Sequence, residues 1–525
     1  MCESDFSRRS FAGQAKLRPM RRRSFLGLVG GAAGAAAILR SRRAEAAFGT
    51  FPSDALQAQL PVGMRAKNVL EIFLYGGLSP WETLYCVPTY GTPSDPMYPN
   101  QQSYTFKSAS DAMLATCGNT AVTPLSLGND ALGAAVQLGP FAAKLSARLD
   151  VAQRLRVVVQ KHNLEPHEAA VPQALTGRPV GQPTAAGLGA HVQRARIDAD
   201  AAASTMRSAP YSYVFATGGI SSDNVAAAAA AGAHPGSARP LLIKTDNAAG
   251  FTSLLSRPTV ANRGPQDALV KAYVDQYQQR LTWPNQGRVR SPRTDDLAVA
   301  FQTTTNVDAI AALLKTDSGG DLFANIAGNA CAVSSGKDIP FIGLNAAVHL
   351  LTHSAAPASY VCVSDTGIEE ASGGGGYDTH TANAHDTAMN FDNMLQALLA
   401  KINGPSETDP TKLSLDDTMI ILNTEFGRTP VAQGGDGRNH HPYGYATAFI
   451  GGPITGTSIA GAIGPDGTAA GMNYATPAQN RMAALLALGI WPFAQEAFAV
   501  SDVPGATAEL AAALSTIQFV LGRTL

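Results

Sequence analysis

Charge is sparse in this chain. Asp, Glu, Lys and Arg make up 15% of its 525 residues, against roughly 25% in a typical globular domain. The 39 Lys and Arg nearly cancel the 40 Asp and Glu, leaving a formal net charge of -1. Without a positive excess to match phosphate charge, the composition argues against a dedicated nucleic-acid binder. Cysteine is scarce as well. There are five, none in CxxC spacing, which argues against a cysteine zinc site. Beyond the N-terminal region no run approaches the ~20 apolar residues that span a bilayer, so no stable membrane span is expected in the mature form. Hydrophobic residues reach 45%, which argues against disorder as the main state.

The one clear apolar run near the N-terminus follows Arg22-Arg23-Ser24-Phe25-Leu26 and continues to Leu39. It is too short for a usual transmembrane helix. Twin arginines before such a run read as a twin-arginine export signal. Ala44-Glu45-Ala46 supplies the small residues a signal peptidase needs. The alternatives are an uncleaved anchor or a basic arm. Residues 1–46 are therefore expected as a signal peptide, 47–66 as a linker and 67–525 as the mature domain. The expected location is periplasmic, or otherwise outside the cytoplasm, with the twin-arginine translocase as partner during export. Export permits disulfides. Cys86, Cys117, Cys331 and Cys362 remain after cleavage, and the sequence does not choose among their pairings.

Six runs read as strands: 68–75, 155–160, 211–217, 359–364, 418–423 and 445–451. Most are continuously apolar, as strands buried on both faces of a parallel sheet are. Helical spacing lies between them, clearest over 390–402, where Phe391, Met394, Leu395, Leu398, Leu399 and Ile402 share one face. Alternating strands and helices predict a doubly wound α/β fold with a mostly parallel sheet. Residues from about 245 to 340 are expected as a largely helical insertion or cap.

Polar clusters follow several of these strands, where doubly wound folds bind ligands. They are Gly76 to Thr83, His162 to Glu168, Gln182 to Gly187, Gly376 to His380, Glu425 to Arg428, and Arg438 to Pro442. Asp378 and His380 are two apart, so an extended backbone points both the same way. Such a pair suits Zn²⁺ or Mn²⁺ as ligands, or a loop hydrogen bond. Glu425 can be a ligand, a general base or a partner of Arg428. Of the adjacent His440 and His441, one can face a site while the other packs. Thr184, before a helix-permissive stretch, is either an N-cap or a nucleophile in a place that favours anions.

These residues, in this order, resemble a known family: the twin-arginine-exported 1501 family of domains of unknown function, related to alkaline phosphatases and sulfatases. The resemblance rests on the export signal, Gly76-Gly77-x-Ser79-x-x-Glu82-Thr83, His167-Glu168-x-Ala170, Thr176-Gly177-Arg178, Gly376-Tyr377-Asp378-Thr379-His380, Thr424-Glu425-Phe426-Gly427-Arg428 and Gly437-Arg438-Asn439-His440-His441. It implies an alkaline-phosphatase-like fold holding one or two divalent ions, Zn or Mn. The implied ligands are Glu82, Asp378, His380, Glu425 and His440 or His441. Thr184 would be the nucleophile, with Arg428 and His167 beside the chemistry and Ser79, His162 and Arg178 on the substrate side. Glu82 and Asn439 stand where the family commonly has Asp.

Two functions are compatible with this pattern. One is an exported metal-dependent hydrolase of small or polymeric phosphate or sulfate esters. The other is a degenerate relative that binds a glycan, ligand or protein without chemistry.

Overall fold

The computed structural model describes residues 47–90, 107–181, 185–205, 209–217, 219–232, 239–245, 331, 339–368, 376–433, 436–493 and 497–525, with a few positions between 264 and 276. The expected signal peptide, Thr184 and nearly all of the expected insertion lie outside these residues.

Eight strands form one sheet: β1 (Asn68–Leu74), β4 (Leu155–Gln160), β5 (Ser212–Thr217), β6 (Leu241–Thr245), β7 (Tyr360–Asp365), β8 (Thr418–Asn423), β11 (Tyr445–Gly451) and β12 (Ser458–Ala460). Their spatial order is β12-β4-β11-β8-β1-β7-β5-β6. Two small hairpins stand apart from it: β2 (Ser126–Asn129) with β3 (Ala135–Gln137), and β9 (Gly427–Ala432) with β10 (Arg438–His441). The main sheet is parallel except for β11, which runs antiparallel to both β4 and β8. All six expected strands are present. The apolar run of β11 predicted burial correctly but could not report direction, because burial on both faces favours apolar residues in either orientation.

The helices that position the site and its core are α1 (Lys107–Thr116), α2 (His167–Thr176), α3 (Leu188–Ala203), α4 (Gly219–Ala229), α5 (Ile339–Leu351), α6 (Asn383–Ala400), α7 (Pro477–Ala487) and α8 (Glu509–Thr516). Strand alternation divides the core in two. Leu70, Ile72 and Leu74 of β1 pack with α5 and α6 on one face of the sheet. Val69 and Phe73 pack on the other with α2, α3, α4, α7 and α8. The result is a sheet flanked by helices on both faces. Among the described residues no helix is long and apolar enough to cross a membrane.

Local signals set the helix ends. α7 opens on Thr476, which forms a capping box with Gln479, and Pro477 follows at the first helical position. α2 starts after Pro166 and ends at Gly177, which takes the left-handed conformation at φ 73°. α6 begins seven residues before the apolar spacing does. Asn383, Ala384, Thr387 and Ala388 continue its buried face with small or polar side chains, which a hydrophobic pattern does not register. The expected linker residues Phe48, Phe51, Ala58 and Leu60 are buried in the same core as α7.

One disulfide joins Cys117, just past α1, to Cys331. Cys86 and Cys362 are free and buried.

Candidate metal centre

β1, β4, β7 and β8 run in one direction, so the loops leaving them meet at one edge of the sheet. Gly76 follows β1, His162 and His167 follow β4, Asp378 follows β7, and Glu425 follows β8. The β9–β10 hairpin adds Arg428 and His440, which face each other across its register.

The centre is Asp378, 7% exposed. Three imidazole Nε2 atoms converge on its Oδ1: His380 at 3.2 Å, His440 at 3.4 Å and His167 at 3.7 Å. Ligand atoms of His167, Asp378 and His440 all lie within 4.8 Å of one another. The Nε2 atoms of His380 and His440 are 3.0 Å apart. Arg428 Nη2 donates to the same Asp378 oxygen at 2.5 Å.

The ring of His167 is held from behind. Its Nδ1 lies 2.8 Å from Glu425 Oε1, and a carboxylate only accepts, so Nδ1 carries the proton. Its Nε2 is buried without a hydrogen-bond partner and faces Asp378. His380 repeats this arrangement, with Nδ1 2.6 Å from Gln433 Oε1. A carboxylate or amide oxygen on one ring nitrogen, with the other turned inward, is how metal-bound histidines are commonly oriented. The orphaned nitrogen and the mixed imidazole–carboxylate donors both fit a divalent cation of the Zn²⁺ or Mn²⁺ type.

The electrostatics follow from the crowding. Burial disfavours charge on His167, but Asp378 and Glu425 outweigh it and raise its pKa to about 9. Burial also opposes the charge on Asp378, yet His167, His440 and Arg428 together hold it well below the usual carboxylate range. Burial lowers His440, and the nearby Arg428 and His167 add to that effect against the pull of Asp378.

Close backbone approach makes the cluster possible. At Gly76, φ is 121°, and a Cβ there would come within 2.2 Å of the Asp378 backbone nitrogen. A Cβ on Gly437 would fall 1.6 Å from the His380 carbonyl oxygen.

Other expected site residues are placed differently. Glu82 lies in a fully buried ion pair with Arg438, whose Nη2 donates at 2.6 Å and Nε at 3.2 Å. The Ser79 hydroxyl donates to the same carboxylate. Arg428 has every nitrogen engaged, with Nε donating to Gly77 O at 3.0 Å, Nη1 to Arg438 O at 3.1 Å, and Nη2 to Gly76 O as well as Asp378. His162 contacts backbone through both ring nitrogens: Nε2 is 2.5 Å from Glu425 O, and Nδ1 accepts from Leu164 N–H at 3.1 Å. Burial pushes its pKa down to about 4. Arg178 pairs with Asp502 at 3.0 Å and lies over Phe498. Of the two neighbouring histidines, His440 faces the cluster. His441 is on the opposite side of β10, edge-on to the Tyr443 ring, with its Nε2 beside Gly467.

Arg438, Gln433 and the Gly76 N–H, which donates to Glu425 Oε1 at 2.7 Å, received no role from the sequence. Arg438 lies two residues before His440, but the ladder shifts register between them, so simple strand alternation would not have placed it. A surface cavity of about 600 Å³ lies at the other edge of the sheet, lined by Asn68, Asp150, Arg154, Glu407, Lys412 and Thr418.

Fold and site together define an α/β protein with a histidine-rich cluster beyond the carboxyl ends of its parallel strands. The chain belongs to the family described as "Protein of unknown function (DUF1501)", whose model matches residues 66–492. No curated protein and no solved structure matches the chain.

Proposed function

We propose that this protein is an exported, metal-dependent hydrolase of phosphate or sulfate esters, related to the alkaline phosphatases and sulfatases. The observation that carries this reading is the convergence of three histidine Nε2 atoms on Asp378 Oδ1, one of them buried and without a partner. A divalent ion held by Asp378, His167 and His440, with His380 beside them, would supply Lewis-acid stabilisation of developing negative charge.

The chain's own residues do the rest. Glu425 fixes the tautomer and plane of His167, and Gln433 does the same for His380. Arg428 fixes Asp378 and ties it to the carbonyls of Gly76 and Gly77. Thr184, outside the described residues, is the proposed nucleophile. Export through the twin-arginine pathway follows from Arg22-Arg23 and the apolar run behind it. The Cys117–Cys331 disulfide supports an oxidising compartment such as the periplasm.

A second reading, a binding protein without hydrolysis, is favoured by Glu82. Its carboxylate is closed into a pair with Arg438 and Ser79 rather than joined to the cluster.

The test is metal analysis of protein purified without chelator or affinity metal, alongside a phosphate and sulfate ester panel. Turnover that tracks metal content and disappears in Thr184→Ala supports the hydrolase. Bound metal without turnover on any ester supports the binding protein. Metal-free protein that cannot be reconstituted sinks the metal reading.

A further inference from the structure

We propose that α6 positions Asp378 in the metal centre, through Asn390 and Asn383 on its buried polar face. The inference rests on the metal reading above and extends it to side chains that touch no ion. Asp378 follows β7, and the residues on either side of it are held by α6. Asn390 Nδ2 donates to Gly376 O at 2.7 Å, two residues before Asp378. Asn383 Oδ1 accepts from the Thr379 hydroxyl at 2.7 Å, one residue after it. Asn383 and Asn390 are seven apart, close to two helical turns, so one face of α6 presents both. Their exposures are 0% and 2%.

The Asn390 amide makes a second bond. Its Oδ1 accepts from Ile368 N–H at 2.7 Å, so one planar group ties the chain leaving β7 to the chain arriving at Asp378. Its orientation is fixed, because turning the amide over would set oxygen against a carbonyl and N–H against N–H. The backbone closes beside it, with Gly376 N–H donating to Thr366 O at 2.7 Å. Two glycines make the seat. A Cβ on Gly376 would stand 2.5 Å from Asn390 Nδ2, and one on Gly367 would stand 2.7 Å from the same atom.

The other groups of the cluster come from elsewhere. His167 is on α2, and Arg428 and His440 are on the β9–β10 hairpin. Asp378 must therefore be brought to them, and ligand geometry tolerates displacements of only about 0.5 Å. Arg428 fixes the carboxylate, while α6 fixes the backbone that carries it. Asparagine is a modest helix former and costly to bury unless it is bonded. Two of them on the core side of α6 are explained by the bonds they make around Asp378.

The experiment measures Mn(II) affinity by calorimetry and the Mn(II) electron paramagnetic resonance spectrum of the full chain, with urea denaturation of the metal-free protein as the stability reference. Asn390→Asp keeps the size and the acceptor for Ile368 but turns an oxygen toward Gly376 O. Thr379→Val keeps the shape and removes the hydroxyl that Asn383 holds, and it carries the test if Asn390→Asp fails to fold. Each is expected to weaken Mn(II) by about tenfold or more, the usual cost of a lost orienting group, and to broaden the spectrum as the ligand shell distorts. Asn393→Ala is the control. It removes an amide of the same helix that bonds Met389 O and Cys331 O instead, so it should lower stability and leave affinity and spectrum unchanged. If Asn390→Asp and Thr379→Val bind Mn(II) as the unaltered protein does, while Asp378→Asn does not bind it, the positioning inference falls and the metal reading stands. An equal loss in Asn393→Ala would trace the effect to the stability of α6 and would also overturn the inference alone. No Mn(II) on the unaltered protein, or binding that survives Asp378→Asn, would overturn both.

Discussion

Glu425 Oε1 lies 2.8 Å from His167 Nδ1 and, on its other side, accepts the Gly76 N–H at 2.7 Å. One buried oxygen thus joins the loop after β8 to the first turn of α2 and to the turn after β1. The relationship makes Glu425 a positioning residue for His167. Glu425→Gln should keep a polar contact but lose the charge that favours an Nδ1–H, Nε2-inward imidazole. Metal affinity measured by calorimetry is expected to fall 10–100-fold, the usual cost of losing such an orienting group. Stoichiometry should stay the same. An unchanged affinity would mean that His167 is held by packing against Tyr75, Phe426 and His440 alone.

Glu82 and Arg438 stand 356 residues apart in sequence and meet with no solvent exposure on either side chain. Removing one charge strands the other in the core. Glu82→Gln and Arg438→Met are each expected to lower stability by about 3–5 kcal/mol in urea denaturation. The double variant should lose much less than the sum, because the two substitutions remove one shared interaction. Metal stoichiometry of Glu82→Gln should equal that of the unaltered protein. A metal lost in Glu82→Gln that otherwise folds would show this carboxylate reaching the cluster after all.

How legible the molecule was in its sequence can be judged from these same residues. The six central strands were readable because each is apolar on both faces. Edge strands β6 and β12 were not, being short and in part exposed or half-buried. Several of the polar clusters do meet at one edge of the sheet, because α/β topology collects the loops after parallel strands there. What sequence could not supply was the division of labour within the clusters. His162 and His167 are five residues apart, yet one contacts only backbone through its nitrogens and the other turns a free nitrogen inward. That difference depends on where Glu425 sits, and Glu425 is more than 250 residues away. The choice between His440 and His441 was decided by strand alternation once β10 was paired to β9. Its partner contact, Arg438 with Glu82, is equally non-local.

Asp365 closes β7 beneath the Asp378 loop and predicts a pH effect of definite sign. Burial pushes its pKa up to about 6, against the Gly367 N–H and Tyr377 hydroxyl that donate to it. A group raised on folding gives its full stabilisation below its unfolded pKa and loses it as pH rises through the folded one. Between pH 4 and 8 the unaltered protein should therefore lose up to about 3 kcal/mol relative to Asp365→Asn, which cannot ionise. Urea denaturation of both proteins at a series of pH values measures the difference. Parallel curves would show that Asp365 is ionised in the fold at no cost.

The Cys117–Cys331 disulfide closes a loop of 214 residues, so most of the chain between α1 and the region before α5 is restrained by it. In the chain-entropy picture a loop of that length is worth about 5 kcal/mol, because the unfolded chain loses the freedom the bond removes. Strain in the native state can only reduce that figure. Cys117→Ser/Cys331→Ser should be less stable than the oxidised protein by several kcal/mol, and by little compared with the reduced one. Thiol counting gives an independent check. Cys86 and Cys362 are buried, and burial pushes both thiols up in pKa, so neither should react with a thiol reagent in the native state. Both should react after denaturation without reductant, and Cys117 and Cys331 should join them only once reductant is added. Full reactivity of all four in denaturant alone would show that the bond does not form, and would withdraw its support for an oxidising compartment.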